Sequence, residues 1–180
     1  MRALVVYESM YGRTREIAHS VAQGLRSVYE VDTVHVDDAT PELVENADLL
    51  VVGGPTHVHG MTSQRSRTAA VDAAANDSEL TLDEHAPGEG LRQWLAALEG
   101  DAIAEAAAFD TRIDASPMLT GRASRGIAKR LHRAGYRMIA DPESFLVDSH
   151  SRLLPGEVNR ARAWGESLCT TSHGAVPKPA

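Results

Sequence analysis

Apolar positions along the chain follow two alternating rhythms. Ala3 to Tyr7 (ALVVY) and Leu49 to Val52 (LLVV) are unbroken, largely β-branched runs stopped by polar or glycine-rich segments, the pattern of strands buried on both faces. Ala106 to Phe109 and Ser144 to Val147 read the same way, and Val31 to Val36 (VDTVHV) alternates partially, as a less buried strand does. Between these runs the spacing changes to three and four. Ile17, Ala18, Val21, Ala22 and Leu25 mark the buried stripe of a helix opening at Thr14, and Pro41 opens a short helical turn toward Ala47. Leu91, Trp94, Leu95 and Leu98 form another stripe. A helix from Arg122 to Ala134 buries Ala123, Ile127, Ala128 and Leu131, with Gly135 as its stop. A last helix runs from Glu157 to Leu168. Thr62 to Gly90 reads as a helix followed by a mobile loop, and Tyr136 to Ile139 as an approach to the fifth strand.

Strands alternating with helices form a parallel sheet covered on both faces, and for five strands the commonest doubly wound order is 2-1-3-4-5. In that order the topological switch lies between the first and third strands, so a ligand belongs at the carboxyl ends of strands one, three and four. Those ends are where the chain places its polar loops: Glu8 to Thr14, Gly53 to Met61 and Asp110 to Thr120. At 180 residues, 43% of them hydrophobic, the chain makes one domain over residues 1–168, followed by a flexible tail over 169–180 that contains Pro177 and Pro179.

Charge narrows the partners. Against 18 Lys and Arg stand 25 Asp and Glu, a formal charge of −7, which argues against nucleic acid and favours docking with a basic protein. No stretch approaches the roughly 20 apolar residues of a membrane helix. The single cysteine, Cys169, cannot close an intrachain disulfide, so a reducing, cytoplasmic location is expected. Its place at a helix end, with nothing nearby to lower its pKa, marks it as incidental rather than redox-active. Trp94 and Trp164 sit at helix-core spacing and read as packing residues.

The first loop, Ser9-Met10-Tyr11-Gly12-Arg13-Thr14, has hydroxyls at both ends, a central glycine and a helix directly after it. Backbone N–H groups at a helix start, joined by two hydroxyls, suit a terminal phosphate without a metal. The loop is neither a Walker loop nor a Gly-x-Gly-x-x-Gly turn, so a mononucleotide fits it better than ATP or NAD. The competing reading is that Ser9 and Thr14 merely cap the helix. Gly53-Gly54-Pro55-Thr56 makes a tight exit from a strand, after which Thr56, His57 and His59 offer groups that stack on or hydrogen-bond to a planar ring. His57-x-His59 lacks a third ligand nearby and is not expected to hold a metal. The third loop, from Asp110-Thr111-Arg112 to Gly121, is longer than a βα turn needs, and such extra length commonly serves a ligand.

Taken in order, YESMYGRTREIA, VVGGPTHVHGM, FDTR followed by TGRASRGIAKRL, and LLPGEVNRARAWG resemble the flavodoxin family, in particular its actinobacterial flavodoxin-domain proteins. The first segment carries the Ser/Thr-x-x-Gly-x-Thr phosphate pattern, and the Gly-Pro-Thr loop is also similar to flavodoxin-like quinone reductases. The resemblance implies a flavodoxin-like three-layer sandwich that binds FMN, with a five-stranded parallel sheet in the order 2-1-3-4-5. It implies that Ser9, Met10, Tyr11, Gly12, Arg13 and Thr14 hold the 5′-phosphate, and that Pro55, Thr56, His57, Val58, His59 and Gly60 flank the isoalloxazine ring. Thr111 and Arg112 would lie near its pyrimidine end or the ribityl chain. The flavin would carry electrons to a redox partner protein or a small-molecule acceptor, as a carrier or a small reductase, from a monomer or a homodimer. Electron-carrier flavodoxins commonly place a Trp in the second loop and a Tyr in the third; neither stands there in this chain, and Arg13 replaces the usual Asn. These departures keep open a second reading, a regulatory or interaction module of the same fold that binds FMN weakly or not at all.

Overall fold

Alternation inside each apolar run assigns its residues to two layers. The computed structural model describes residues 1–57, 60–76, 80–86, 88, 90–98 and 104–171. In chain order it holds β1 (Arg2–Tyr7), α1 (Arg13–Leu25), β2 (Glu30–His35), α2 (Pro41–Glu45), β3 (Leu49–His57), β4 (Gly60–Met61), α3 (Gln64–Asn76) and α4 (Leu91–Ala97). There follow β5 (Glu105–Ile113), α5 (Pro117–Thr120), α6 (Ala123–Arg133), β6 (Arg137–Met138), β7 (Glu143–Val147) and α7 (Glu157–Thr171). Ala3, Val5 and Tyr7 of β1 join Leu49 and Val51 of β3 and Phe109 of β5 against α1 and α7. Leu4, Val6, Leu50, Val52, Ala106 and Ala108 point the other way, against α2, α4 and α6. Two apolar layers therefore sandwich one sheet, which is why its central strands lack polar alternation.

The parallel core runs β2-β1-β3-β5, as expected for a sheet of order 2-1-3-4-5. The fifth position is shared by two segments: β6 pairs with Glu105 and Ala106 at the start of β5, and β7 with Phe109 to Ile113 at its end. Tyr136 to Ile139 is thus partly strand, not only an approach. The break falls beside Pro142, which has no N–H for the ladder. Arg122 fastens it, its guanidinium donating to the Pro142 carbonyl at 2.6 Å and to Ser144 Oγ at 2.9 Å.

Three expected boundaries shift. β3 continues through Gly53, Gly54, Pro55 and Thr56 to His57, and β4 returns antiparallel to it, with Thr56 opposite Met61 and His57 opposite Gly60. β5 continues through Asp110, Thr111 and Arg112 to Ile113, so those residues stand on a strand and not in a loop. α7 runs to Thr171, which places Cys169 inside the helix, buried, with its sulfur 3.7 Å from the Gly165 carbonyl oxygen. The remaining tail, 172–180, lies outside the described residues.

Candidate functional site

The ends of β1, β3 and β5 lie side by side. Tyr7 pairs with Gly53, Pro55 pairs with Thr111, and the Glu8 N–H donates to the Gly53 carbonyl at 3.0 Å. The first loop joins them through its last residue, since Thr14 Oγ1 and Thr111 Oγ1 are 2.8 Å apart in a buried hydrogen bond. Residues from all three expected segments are therefore gathered at one edge of the sheet.

The first loop leads into a helix start without a side-chain cap. Gly12 precedes α1 with φ +80, a left-handed conformation that side chains with a Cβ rarely adopt, and no side chain caps the helix among the described residues. The N–H groups of the first turn thus keep their donors. Ser9 is fully buried, and its Oγ has no hydrogen-bond partner among the described residues. The capping reading fails for both hydroxyls, because Ser9 caps nothing and Thr14 is turned to Thr111. Met10 and Arg13 serve otherwise. Met10 is buried against Ala70 and Ala86, while Arg13 donates to the Ser151 carbonyl at 3.1 Å and pairs with Glu16 at 3.2 Å. Tyr11 reaches Ala70, donating from its hydroxyl to that carbonyl at 3.1 Å.

The second and third segments spend several polar atoms on α6. Thr56 Oγ1 accepts from the Ala123 N–H at 2.9 Å and Asp110 Oδ2 from the Ser124 N–H at 2.7 Å, so two neighbouring strands cap one helix. Arg112 turns back to its own segment, donating to the carbonyls of Ala115 at 2.7 Å and Ile113 at 3.2 Å. Gly53 is needed for packing: a Cβ there would meet the Phe109 ring at 2.0 Å. Gly53 thus serves a close approach inside the sheet, Gly54 lies against α4, where a Cβ would stand 3.0 Å from Leu91 Cδ2, and neither is a strand exit. His57 is half-buried, and burial holds its imidazole below the usual pKa, favouring the neutral ring. Gly60 faces open space, and Val58 and His59 lie outside the described residues.

Two carboxylates here gave no signal in the sequence beyond ending an apolar run or lying in a polar one. Glu8, 2% exposed, accepts from the Leu91 N–H at 2.9 Å and from the Thr62 hydroxyl, capping α4 from the end of β1. Asp83 belongs to a strap, residues 80–86, that crosses the first loop. Its N–H donates to the Met10 carbonyl at 2.8 Å, and its side chain faces Arg15 at 3.5 Å. Part of the expected mobile loop is therefore tied to the candidate site.

A model of the flavodoxin family matches residues 5–114, more than half of the chain. The chain belongs to the flavodoxin family. The flavodoxin of Aquifex aeolicus (strain VF5) is 43% identical over 68 residues, which cover 37% of this chain and 36% of that protein. The match thus spans about a third of the relative's length. Among solved structures, oxidised flavodoxin 2 from Bacillus cereus superposes with a TM-score of 0.66 at 17% identity, covering 94% of this chain and 99% of that one. A flavodoxin from the domain Archaea gives 0.63 at 18% identity, covering 96% and 99%. The rubredoxin oxygen:oxidoreductase of Desulfovibrio gigas gives 0.60 at 14% identity, with 96% of this chain on 36% of that larger one. At these identities the structural likeness shows the fold, the flavodoxin-like three-layer sandwich. Flavodoxin-family proteins bind FMN, and this flavodoxin-family chain has its open helix N-terminus and orphaned Ser9 hydroxyl in the segment that resembles the phosphate pattern.

Proposed function

We propose that the chain binds FMN and transfers electrons, with the FMN phosphate held between Ser9 and Thr14. The observation that carries the reading is the buried Ser9 Oγ, which has no partner among the described residues and lies in the loop leading to an uncapped α1 N-terminus. Leaving such a donor unpaired costs about 1–3 kcal/mol, and a phosphate oxygen removes that cost. FMN supplies the one- or two-electron chemistry when bound. The protein's part is to bind and orient. Ser9, Gly12 and the first-turn N–H groups would hold the phosphate; Pro55, Thr56, His57 and Gly60 would flank the ring, His57 as a neutral group; Thr111 supports Thr14 from β5. No side chain is needed as a nucleophile or base. Electrons pass to a redox partner protein or a small-molecule acceptor, in a carrier or a small flavin-dependent reductase.

Titration of the apoprotein with FMN, followed by flavin fluorescence, tests this with riboflavin as the control for phosphate recognition. Saturable FMN binding with much weaker riboflavin binding is expected. Ser9→Ala should weaken FMN by roughly 10- to 100-fold, the value of a hydrogen bond to a charged group, and leave riboflavin unchanged. Binding of neither flavin would overturn the reading in favour of a regulatory or interaction module.

A further inference from the structure

A second group of chemistry-bearing side chains lies at the carboxyl end of β2, on the opposite side of β1 from β3. His35 is the last residue of β2, Asp37 follows in a single helical turn over Val36–Asp38, and His85 arrives from the 80–86 strap, fifty residues away in sequence. One nitrogen of each imidazole and one Asp37 carboxylate oxygen all lie within 4.8 Å of one another. His35 Nδ1 is 3.4 Å from Asp37 Oδ2 and also accepts from the Asp37 N–H at 3.2 Å. The His85 ring stacks on that of His35, with centroids 4.7 Å apart and planes 21° from parallel.

His35 is 3% exposed and walled on one side by the Tyr7 ring, and its Nδ1 faces Asp37. Because Nδ1 accepts from the Asp37 N–H, the neutral ring carries its proton on Nε2, and the Nδ1 lone pair is the one within reach of a metal beside Asp37. Arg15 of α1 faces the strap and is directed to Asp83 and Glu84 at 3.5 and 3.7 Å.

We propose that His35, Asp37 and His85 bind a divalent transition metal of the zinc class, which fastens the strap to the end of β2. Two imidazoles and a carboxylate suit zinc or cobalt and leave a fourth position for water. Metal bonds of about 2.0–2.2 Å in a tetrahedron place ligand atoms roughly 3.4 Å apart, the spacing that His35 Nδ1 and Asp37 Oδ2 already have, and ligation would take the Nδ1 lone pair in exchange for its 3.2 Å bond from the Asp37 N–H. His85 closes the remaining distance by turning out of its stack, a movement open to a loop residue. Glu84 Oε1, 3.5 Å from His85 Nε2, then orients that ring from outside the metal's own ligands. A metal here joins β2 to the segment that crosses Met10, so the strap closes by ligation as well as by packing.

The test uses the full chain, stripped with chelator and free of flavin, so it succeeds or fails independently of the FMN reading. Cobalt(II) is titrated in and visible absorption recorded. Saturation at one equivalent with the intense bands of a tetrahedral site, displaced by zinc(II), is the expected result. His85→Ala and Asp37→Asn should each weaken cobalt by more than the roughly 10- to 100-fold that loss of an outer partner costs, with far-ultraviolet circular dichroism kept. Zinc should raise the thermal midpoint of the natural chain and not of the variants. Absence of saturable binding, or cobalt bands that survive both substitutions, would overturn the proposal. Asp37→Asn, on an exposed turn, decides the matter if His85→Ala does not fold.

Discussion

Glu8 shows how a single buried charge is accommodated at the sheet's edge. Its carboxylate accepts from the Leu91 N–H and the Thr62 hydroxyl, yet burial outweighs both hydrogen bonds and holds its pKa above the ordinary 4.5. With the folded value raised, the unfolded chain loses its Glu8 proton first as pH climbs. The contribution of Glu8 to stability is complete below about 4.5 and falls as pH rises through the folded value. Glu8→Gln keeps an acceptor for Leu91 and removes the titration, so the variant should gain on the natural chain as pH increases above that point. Urea unfolding at several pH values measures the difference, and equal pH slopes for the two chains would refute it. Glu8→Ala is a separate matter, because it orphans two buried donors and should cost roughly 2–4 kcal/mol below pH 4.5, where Glu8 contributes in full, and less as pH rises.

Among the elements, α1 and α7 approach most closely where each carries a glycine. A Cβ on Gly24 would lie 2.2 Å from the Arg162 carbonyl oxygen, and one on Gly165 would lie 2.3 Å from that of Val21. Backbone cannot step aside as a side chain can. Gly24→Ala should therefore destabilise by about 1–3 kcal/mol through overpacking, even though alanine favours a helix by roughly 1 kcal/mol. Gly126→Ala in α6 is the control: its Cβ would meet the ends of two flexible side chains, Met61 Cε at 3.3 Å and Arg130 Nη1 at 3.8 Å, so the helix preference wins and stability rises by a few tenths to about 1 kcal/mol. Chemical denaturation of both variants checks the opposite signs. This level is also where the sequence was most legible. Runs such as ALVVY and LLVV show their strands because burial on both faces leaves only apolar residues, and the doubly wound order follows from the alternation with helices. Where β3 and β5 end was hidden, because Gly53 and Pro55 read as turn residues while their role is to pass Phe109 and to pair with Thr111. Thr56 and Asp110 were legible as polar and well placed, but their use as caps for α6 depends on contacts made only by the folded chain.

Across the whole molecule, the segment between α3 and α4 changes the character of the first loop. Leu82 packs with Met10, Asp83 donates its N–H to the Met10 carbonyl, and its buried carboxylate lies beside Gly12, 3.9 Å from where a Cβ would stand. No sequence rhythm marks this, since the partners are some seventy residues apart and the strap has no periodic apolar face. In the proposed FMN complex its electrostatic effect would work against the phosphate dianion: one oxygen of Asp83 has no hydrogen-bond partner among the described residues, and Arg15, at 3.5 Å, offsets its charge only in part. On a chain of net charge −7, a carboxylate at this place would limit affinity in that complex more than surface acids do, because buried charges are screened least. Asp83→Asn keeps the shape and the backbone bond to Met10, removes one negative charge and releases Arg15 toward the loop. At an effective dielectric near 20 the gain is on the order of 1 kcal/mol, about a fivefold tighter FMN complex, while riboflavin, which has no phosphate, should bind as before. Parallel titrations of both flavins decide it: an equal change for the two ligands would place the effect in the strap's packing, and weaker FMN binding would mean that Asp83 supports the loop instead of opposing its ligand.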